Sequence, residues 1–370
     1  RTVREQRTYS TQPNDREVRA TVVSVIRAHL LETAPVSWSD KDFAFTGAVL
    51  HNADLRDARF AGERTSFDGA TFTGERTSFD GARFTSKTTT FGAAQFTAAW
   101  TTFRRARFTG AETSFMGVQF TSTQTWFDRA EFTSKTTTFD DATFTGHVTT
   151  FRDAEFRGAS TSFESAHFTS KQTLFATAQF TAARTSFASA QFAGKTTSFG
   201  GARFASAETS FVGARFAGET TRFDGAQFVG EETSFDGGQF AGERTSFDGA
   251  QFTAARTSFV GAQFAGKTTS FDAARFAGET TSFDRARFAS AETSFDRAQF
   301  AGKTTSFDGA RFVGETTSFN MAVWGRAKAT FDDVTIGPRT RVSGLDDPTQ
   351  TNGVTITANG QPFTGRTGPP

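Results

Sequence analysis

Four histidines, His29, His51, His147 and His167, are the only imidazoles in the chain, and their spacing matches no metal-ligand or acid–base pattern. They read as a helical, a corner, a loop and an outward strand position, each solvated. Asp68, Asp80 and Asp236 recur after a phenylalanine, where a short carboxylate forms a turn. Asp140-Asp141 comes closest to a catalytic carboxylate pair and reads as one more corner. Cysteine is absent, which removes disulfide and thiolate chemistry, and the repeated Phe-Asp-Gly-Ala lacks the Lys-Ser/Thr ending of a phosphate loop. No enzyme activity, metal or cofactor is therefore expected. The residues that stand out are large and apolar where the pattern calls for polar ones. Trp100 replaces a polar loop residue, and Trp126 and Leu174 take an outward slot usually filled by Ser or Thr. Large exposed side chains are the currency of protein contact, which makes these three the candidate partner contacts.

The elements that position them follow from a repeat. Forty-four of the 48 phenylalanines fall on two ladders of 12-residue period, Phe60 to Phe312 and Phe67 to Phe319, without a skip. A typical period is Thr65-Ser66-Phe67-Asp68-Gly69-Ala70-Thr71-Phe72-Thr73-Gly74-Glu75-Arg76. Such self-similarity means stacked units that cannot bury their apolar face alone, hence an all-β solenoid. Thr65 and Phe67 alternate with Ser66, and Ala70 and Phe72 alternate with Thr71, so each period gives two short strands with Thr, Phe, Ala, Phe inward. Asp68-Gly69 supplies the corner between them. The longer connection, Thr73-Gly74-Glu75-Arg76, carries the variation and charge and is expected outside. Arg83, Gln95, Arg107 and Gln119 precede ladder phenylalanines and should form hydrogen-bonded surface rows.

Upstream, Phe45, Leu50, Leu55 and Phe60 are five apart, with Phe43, Ala48, Ala53 and Ala58 two places before each. Ala48-Val49-Leu50-His51-Asn52 and Ala53-Asp54-Leu55-Arg56-Asp57 resemble the pentapeptide-repeat family, over roughly residues 43 to 324. The resemblance implies a right-handed quadrilateral β-helix. Downstream, Phe replaces Leu, Thr replaces alternate Ala, and two residues are added after every second unit, so two periods should complete one 24-residue turn. At ~4.8 Å per layer such coils form a rod of ~55–60 Å, against ~105 Å for 12-residue coils.

The divisions expected are an N-terminal segment 1–38, a β-helix 39–324, and an irregular coil and tail 325–370. Asn14-Asp15-Arg16-Glu17 reads as a capping box, after which Val18, Val22, Val25, Ile26 and His29 follow helical spacing, giving a short α-helical cap over the first coil. Trp324 closes the ladder where a phenylalanine is due, and Val354-Thr355-Ile356 can add a strand. Pro338, Asp346-Asp347-Pro348 and Gly365 to Pro370 read as turns and tail.

Forty basic against 39 acidic residues leave a net charge of +1, which offers no field for nucleic acid. Some pentapeptide-repeat proteins resemble a DNA duplex and occupy DNA gyrase, but that role needs a strongly acidic surface. Ice binding needs a flat outward Thr array. Thr88 and Thr90, Thr136 and Thr138, Thr196 and Ser198, and Thr268 and Ser270 provide pieces of one, interrupted by Arg64, Glu112 and Arg222. No apolar run reaches membrane-spanning length. Residues 16 to 62 resemble actinobacterial pentapeptide-repeat proteins in which an Arg-rich helical segment precedes Phe-rich repeats and membrane helices lie farther upstream. The chain opens on Arg1, so a fragment of such a protein, cytoplasmic and tethered through a segment outside this chain, is the expectation. A non-enzymatic scaffold for a protein partner is what remains, with the oligomeric state left open.

Overall fold

The structure is a computed structural model that describes residues 15–325, 328–345, 356–358 and 361–362. Asn14, Val354-Thr355, Asp346-Asp347-Pro348 and the Gly365 to Pro370 tail lie outside these residues. The chain is an all-β parallel solenoid with four faces and about 12 turns, preceded by one helix, α1 (Asp15–Leu30).

The question of coil size is decided by register. Arg59 pairs with Arg83, Phe84 with Phe108, and Glu131 with Glu155, always in parallel and 24 residues apart. Around one turn the chain visits face I (Arg64–Ser66), face II (Thr71–Thr73), face III (Arg76–Ser78) and face IV (Arg83–Phe84). The first coil is shorter. Phe43 pairs with Thr65 and Leu50 with Phe72, 22 residues on, whereas Asp54 bridges to Ser78 at 24. The two extra residues thus enter at the corner between faces II and III.

Phe199 shows how the core is built. It stacks nearly parallel on Phe175 at 4.9 Å and on Phe223 at 4.8 Å, while Phe187 and Phe211 meet it edge-on, each at 5.5 Å. The two sequence ladders therefore become four spatial stacks, two of which interlock as a herringbone along the axis. Both ring arrangements are electrostatically favourable for a π-quadrupole. The inward set Thr65, Phe67, Ala70 and Phe72 is fully buried, as expected.

Corners are dictated by the stack more than by local preference. The second corner residue has positive φ throughout: Gly69 at 64°, but also Arg105 at 54°, Thr177 at 58° and Ala273 at 54°. A non-glycine residue in this region costs ~1–2 kcal/mol. Repeated over many coils, that cost is accepted because Ala70 N–H must close on Phe67 O (3.0 Å) for the next strand to start in register.

The longer connection corrects one expectation: its middle is buried. Ser86, Ala98, Ser122 and Ala182, each at that middle position, have essentially no exposure. Where glycine stands there, as at Gly218 or Gly242, an added Cβ would lie 1.9 Å from the carbonyl oxygen of the coil below. The serines serve a second purpose. Thr65 and Ser86, Thr101 and Ser122, and Thr185 and Ser206 share hydrogen bonds of 2.8 Å, so the buried threonine hydroxyl is satisfied by a serine 21 residues on. Thr125, Thr161 and Thr173, whose counterparts are Gly146, Ala182 and Gly194, have no protein partner.

Both ends of the stack are covered. On α1 the stripe that buries is Val23, Ile26 and Leu30, whereas Val18, Val22 and Val25 are exposed. This corrects the expected face in part: Ile26 of the expected stripe packs on the core, but Val23 and Leu30 replace Val18, Val22 and Val25 as its buried neighbours. Arg19 donates to Val49 O (3.1 Å) and Arg27 to Arg56 O (2.9 Å), occupying carbonyls of the first coil. Burial favours the neutral form of Asp54, but hydrogen bonds from the Arg56 side chain and amide, and the charge of Arg27, hold its carboxyl below the usual range. At the far end Trp324 stacks on Phe300 at 4.3 Å. Pairing runs on through Arg341–Ser343, and Ile356–Ala358 adds beside Lys328–Thr330.

The serine rule gives a direct test. Ala182→Ser places a hydroxyl where Thr161 has none and should raise the unfolding free energy by about 1 kcal/mol, while Ser86→Ala orphans Thr65 and should lower it by ~1–3 kcal/mol. Denaturant titrations of both variants measure this, and an Ala182→Ser variant less stable than wild type would refute the rule.

Candidate interaction surface

From Arg64 to Ser318 the three-residue strands on faces I and III present two outward slots flanking a buried threonine, as Arg76 and Ser78 flank Thr77. Side chains alternate across a strand, so the first slot lies by the longer connection and the second by the tight corner. The second-slot hydroxyls are mostly engaged. Thr90 and Ser66 both donate to Asp68 at 2.9 Å, Thr150 donates to Asp128 at 2.6 Å, and Ser258, Ser270, Ser294 and Ser318 donate to Asp236, Asp248, Asp272 and Asp296. Those carboxylates also accept backbone N–H groups one coil on, as Asp296 does from Asn320 at 2.9 Å. The corner aspartates are thus turn formers, as expected, and also rivets between coils.

Register places the three candidate contact residues on one face. Trp100 pairs with Gln124, Trp126 with Thr150, and Thr150 with Leu174, all on face III. Trp126 and Leu174 share the second-slot row two coils apart, about 10 Å by strand spacing. Trp100 is not in a loop: it opens the strand Trp100–Thr102 in the first slot and is 47% exposed. The strand begins one residue earlier than the alternation of Thr65, Ser66 and Phe67 implies, at Arg64, which takes the Trp100 position out of the connection. Val148, half-buried in the same row as Trp100 and 48 residues on, was missed for the same reason, and the double period was the signal that could have found it.

The pattern is sharper than the individual residues. From Arg64 to Ser343 the outward slots of faces I and III hold Ser, Thr, Gln, Arg, Lys or Glu, except for Trp100, Trp126, Val148 and Leu174. These four occupy consecutive coils of one face, one per coil, alternating between the slots. The ribbon they form is bordered by an open trough of about 580 Å³ at the corner between faces III and IV, lined by Arg104, Arg105, Asp128, Arg129, Arg152 and neighbours. The Arg104 guanidinium lies over the Trp126 ring at 3.9 Å and covers part of it.

Several surface charges elsewhere are paired one coil away. Lys195 pairs with Glu219 at 3.1 Å, Arg184 with Glu208 at 2.9 Å and Lys267 with Glu243 at 2.9 Å, exposed pairs worth ~0–1 kcal/mol each. The hydrogen bond from Lys303 holds the Glu279 carboxyl below its ordinary range. In the trough, Arg104 approaches Asp128 and Arg129 approaches Asp153, both at 3.8 Å. Among the described residues no carboxylate lies within ion-pair distance of Arg105 or Arg152.

The histidines are not brought together. His29 stacks on Trp38 at 3.9 Å, His51 ends the strand Val49–His51 and contacts Thr73 at 3.1 Å, His147 is exposed in a connection, and His167 is outward on face II. Asp140 and Asp141 form a corner in which Asp140 accepts from Ser162 and from the Glu164 amide at 2.9 Å. Among the described residues no group of three His, Asp or Glu is placed to hold a metal, and no helix is long and apolar enough to cross a membrane.

No protein-family model matches the chain, and comparison with the curated proteins finds no similar sequence.

If Arg104 shields Trp126 in solution, Arg104→Ser should shift the tryptophan emission to the red while lowering stability by no more than about 1 kcal/mol. An unchanged spectrum would mean that the stack is not populated.

Proposed function

We propose that the chain is a non-enzymatic scaffold of the pentapeptide-repeat type that binds a protein partner through face III. The observation that carries this reading is the apolar ribbon Trp100, Trp126, Val148 and Leu174, one exposed and three half-buried residues on four consecutive coils, in strand slots that are otherwise polar on faces I and III. A core filled by phenylalanine leaves side-chain chemistry to the outside, and regular rows on a rigid rod are what solenoids use for binding. The cytoplasm is the proposed location, with a membrane tether outside this chain, a reading supported by the resemblance of residues 16 to 62.

Two other roles find less support. A gyrase-directed DNA mimic needs acidic rows, whereas face II from Gln191 to Arg311 and face IV from Gln179 to Gln299 present only Gln and Arg. An ice-binding array needs free hydroxyls, and many second-slot hydroxyls are bound to corner aspartates.

Trp126→Ser with Leu174→Ser restores the residues usual at those slots and should leave the thermal midpoint within a few degrees of wild type. Pull-downs from the native organism should lose the partner with this variant. Equal recovery would remove face III from the account, and a turnover reaction catalysed by the pure protein would sink the scaffold reading.

A further inference from the structure

The ribbon on face III has a geometry that selects among partners. Its four residues alternate between two rows separated by two strand positions, roughly 6–7 Å, and advance one coil, ~4.8 Å, at each step. An extended strand crossing the coils would repeat its side chains on one face every ~6.6–6.8 Å and would fall out of phase within two contacts. The apolar stripe of an α-helix repeats at i, i+4, i+7 and i+11, zigzags between two rows, and advances on average ~5.5 Å per contact. Over four contacts that mismatch accumulates to about 2 Å, a third of what an extended strand would build up. A helix laid along the rod axis can therefore place its apolar residues into the staggered gaps beside Trp100, Trp126, Val148 and Leu174.

The charges beside the ribbon add a second criterion. Arg105 stands on the tight corner of the Trp100 coil and Arg152 on that of the Val148 coil, two coils apart, and both line the trough. Neither guanidinium is neutralised by a carboxylate among the described residues, although the same trough also holds Asp57, Asp80, Asp128 and Asp153. Lys171, on the opposite border of the ribbon in the Leu174 coil, likewise has no carboxylate within ion-pair distance among them. Two coils span about 10 Å, close to the ~10.5 Å between residues i and i+7 of a helix. Unpaired cations flanking an apolar strip favour a partner with carboxylates along the edges of its stripe.

We propose that face III binds an amphipathic α-helix of a partner protein, oriented along the solenoid axis, with acidic residues flanking its apolar stripe. This rests on the scaffold reading and names the class of partner for the same surface. Trp100, Trp126, Val148 and Leu174 supply the apolar contact, and Arg105, Arg152 and Lys171 select the acidic flank.

The probe is a synthetic helical peptide of about 18 residues with leucine at i, i+4, i+7 and i+11 and glutamate at the flanking positions. A second peptide carries lysine in place of every glutamate. Titrations followed by tryptophan emission and by calorimetry should show saturable binding of the glutamate peptide, at least about tenfold tighter than the lysine peptide at low salt. The Trp126→Ser, Leu174→Ser variant should lose that binding, and Arg105→Ser with Arg152→Ser should abolish the preference between peptides while leaving the thermal midpoint unchanged. Equal affinity for both peptides, no binding up to about 1 mM, or binding retained by the double serine variant would overturn the proposal. Self-association of the rod through face III in sedimentation runs, lost in the same variant, would also overturn it by assigning the ribbon to a second copy. A photo-crosslinker at position 126 separates this failure from that of the scaffold reading. Capture in cells of one protein through a segment that is not an acidic helix leaves the scaffold standing, whereas no specific capture together with no peptide binding removes both.

Discussion

Ring-on-ring contact between successive coils sets the dimension to which the rest of the molecule conforms. Parallel strands hydrogen-bond at about 4.7–4.9 Å, and the phenylalanine stacks repeat at the same spacing, as between Phe187 and Phe211 at 4.9 Å or Phe223 and Phe247 at 4.8 Å. The backbone ladder and the aromatic ladder are therefore satisfied by one translation. Any side chain that altered the rise of one coil would break both. This is why the inward slots admit so little variety, and why a turn residue such as Thr177 is held at positive φ despite its branched side chain.

The same constraint explains the polar features of the interior. A column of buried threonines runs along faces I and III, and each hydroxyl needs a partner that the stack can supply only from the longer connection. Where that connection offers serine the hydroxyl is bonded. Where it offers glycine or alanine the chain has gained close backbone approach at the expense of a hydrogen bond. Outside, the corner aspartates repeat the logic, each carboxylate binding the hydroxyl and amide of the next coil, as Asp236 does with Ser258 and the Val260 amide. Side-chain rivets of this kind tie neighbouring coils together without enlarging the core.

Much of this was legible in the residues. The ladder period, the inward Thr, Phe, Ala, Phe set, the corner chemistry and the 24-residue turn follow from spacing, because stacked identical units leave one way to bury the rings. What spacing could not resolve was strand length and facing. Assigning Trp100 to a loop hid its place beside Trp126, and Val148 passed unnoticed although it lies in the same row. On α1 two adjacent apolar rows compete, and only docking onto the first coil selects Val23, Ile26 and Leu30 over Val18, Val22 and Val25. The burial of Ser86 and Ala98 escaped notice because a charged, variable connection was expected to be wholly outside.

A rod whose interior is committed to ring packing has its outer rows left for recognition, so the functional account depends on the stack being as rigid as the geometry implies. A double-mutant cycle on Phe187→Leu and Phe199→Leu tests this most directly, since the two rings meet edge-on at 5.5 Å across half a coil. Cooperative aromatic packing predicts a coupling of about 0.5–1.5 kcal/mol beyond the sum of the single substitutions. Strict additivity, with each leucine costing only its own burial, would contradict the claim that the rings hold the coils in register.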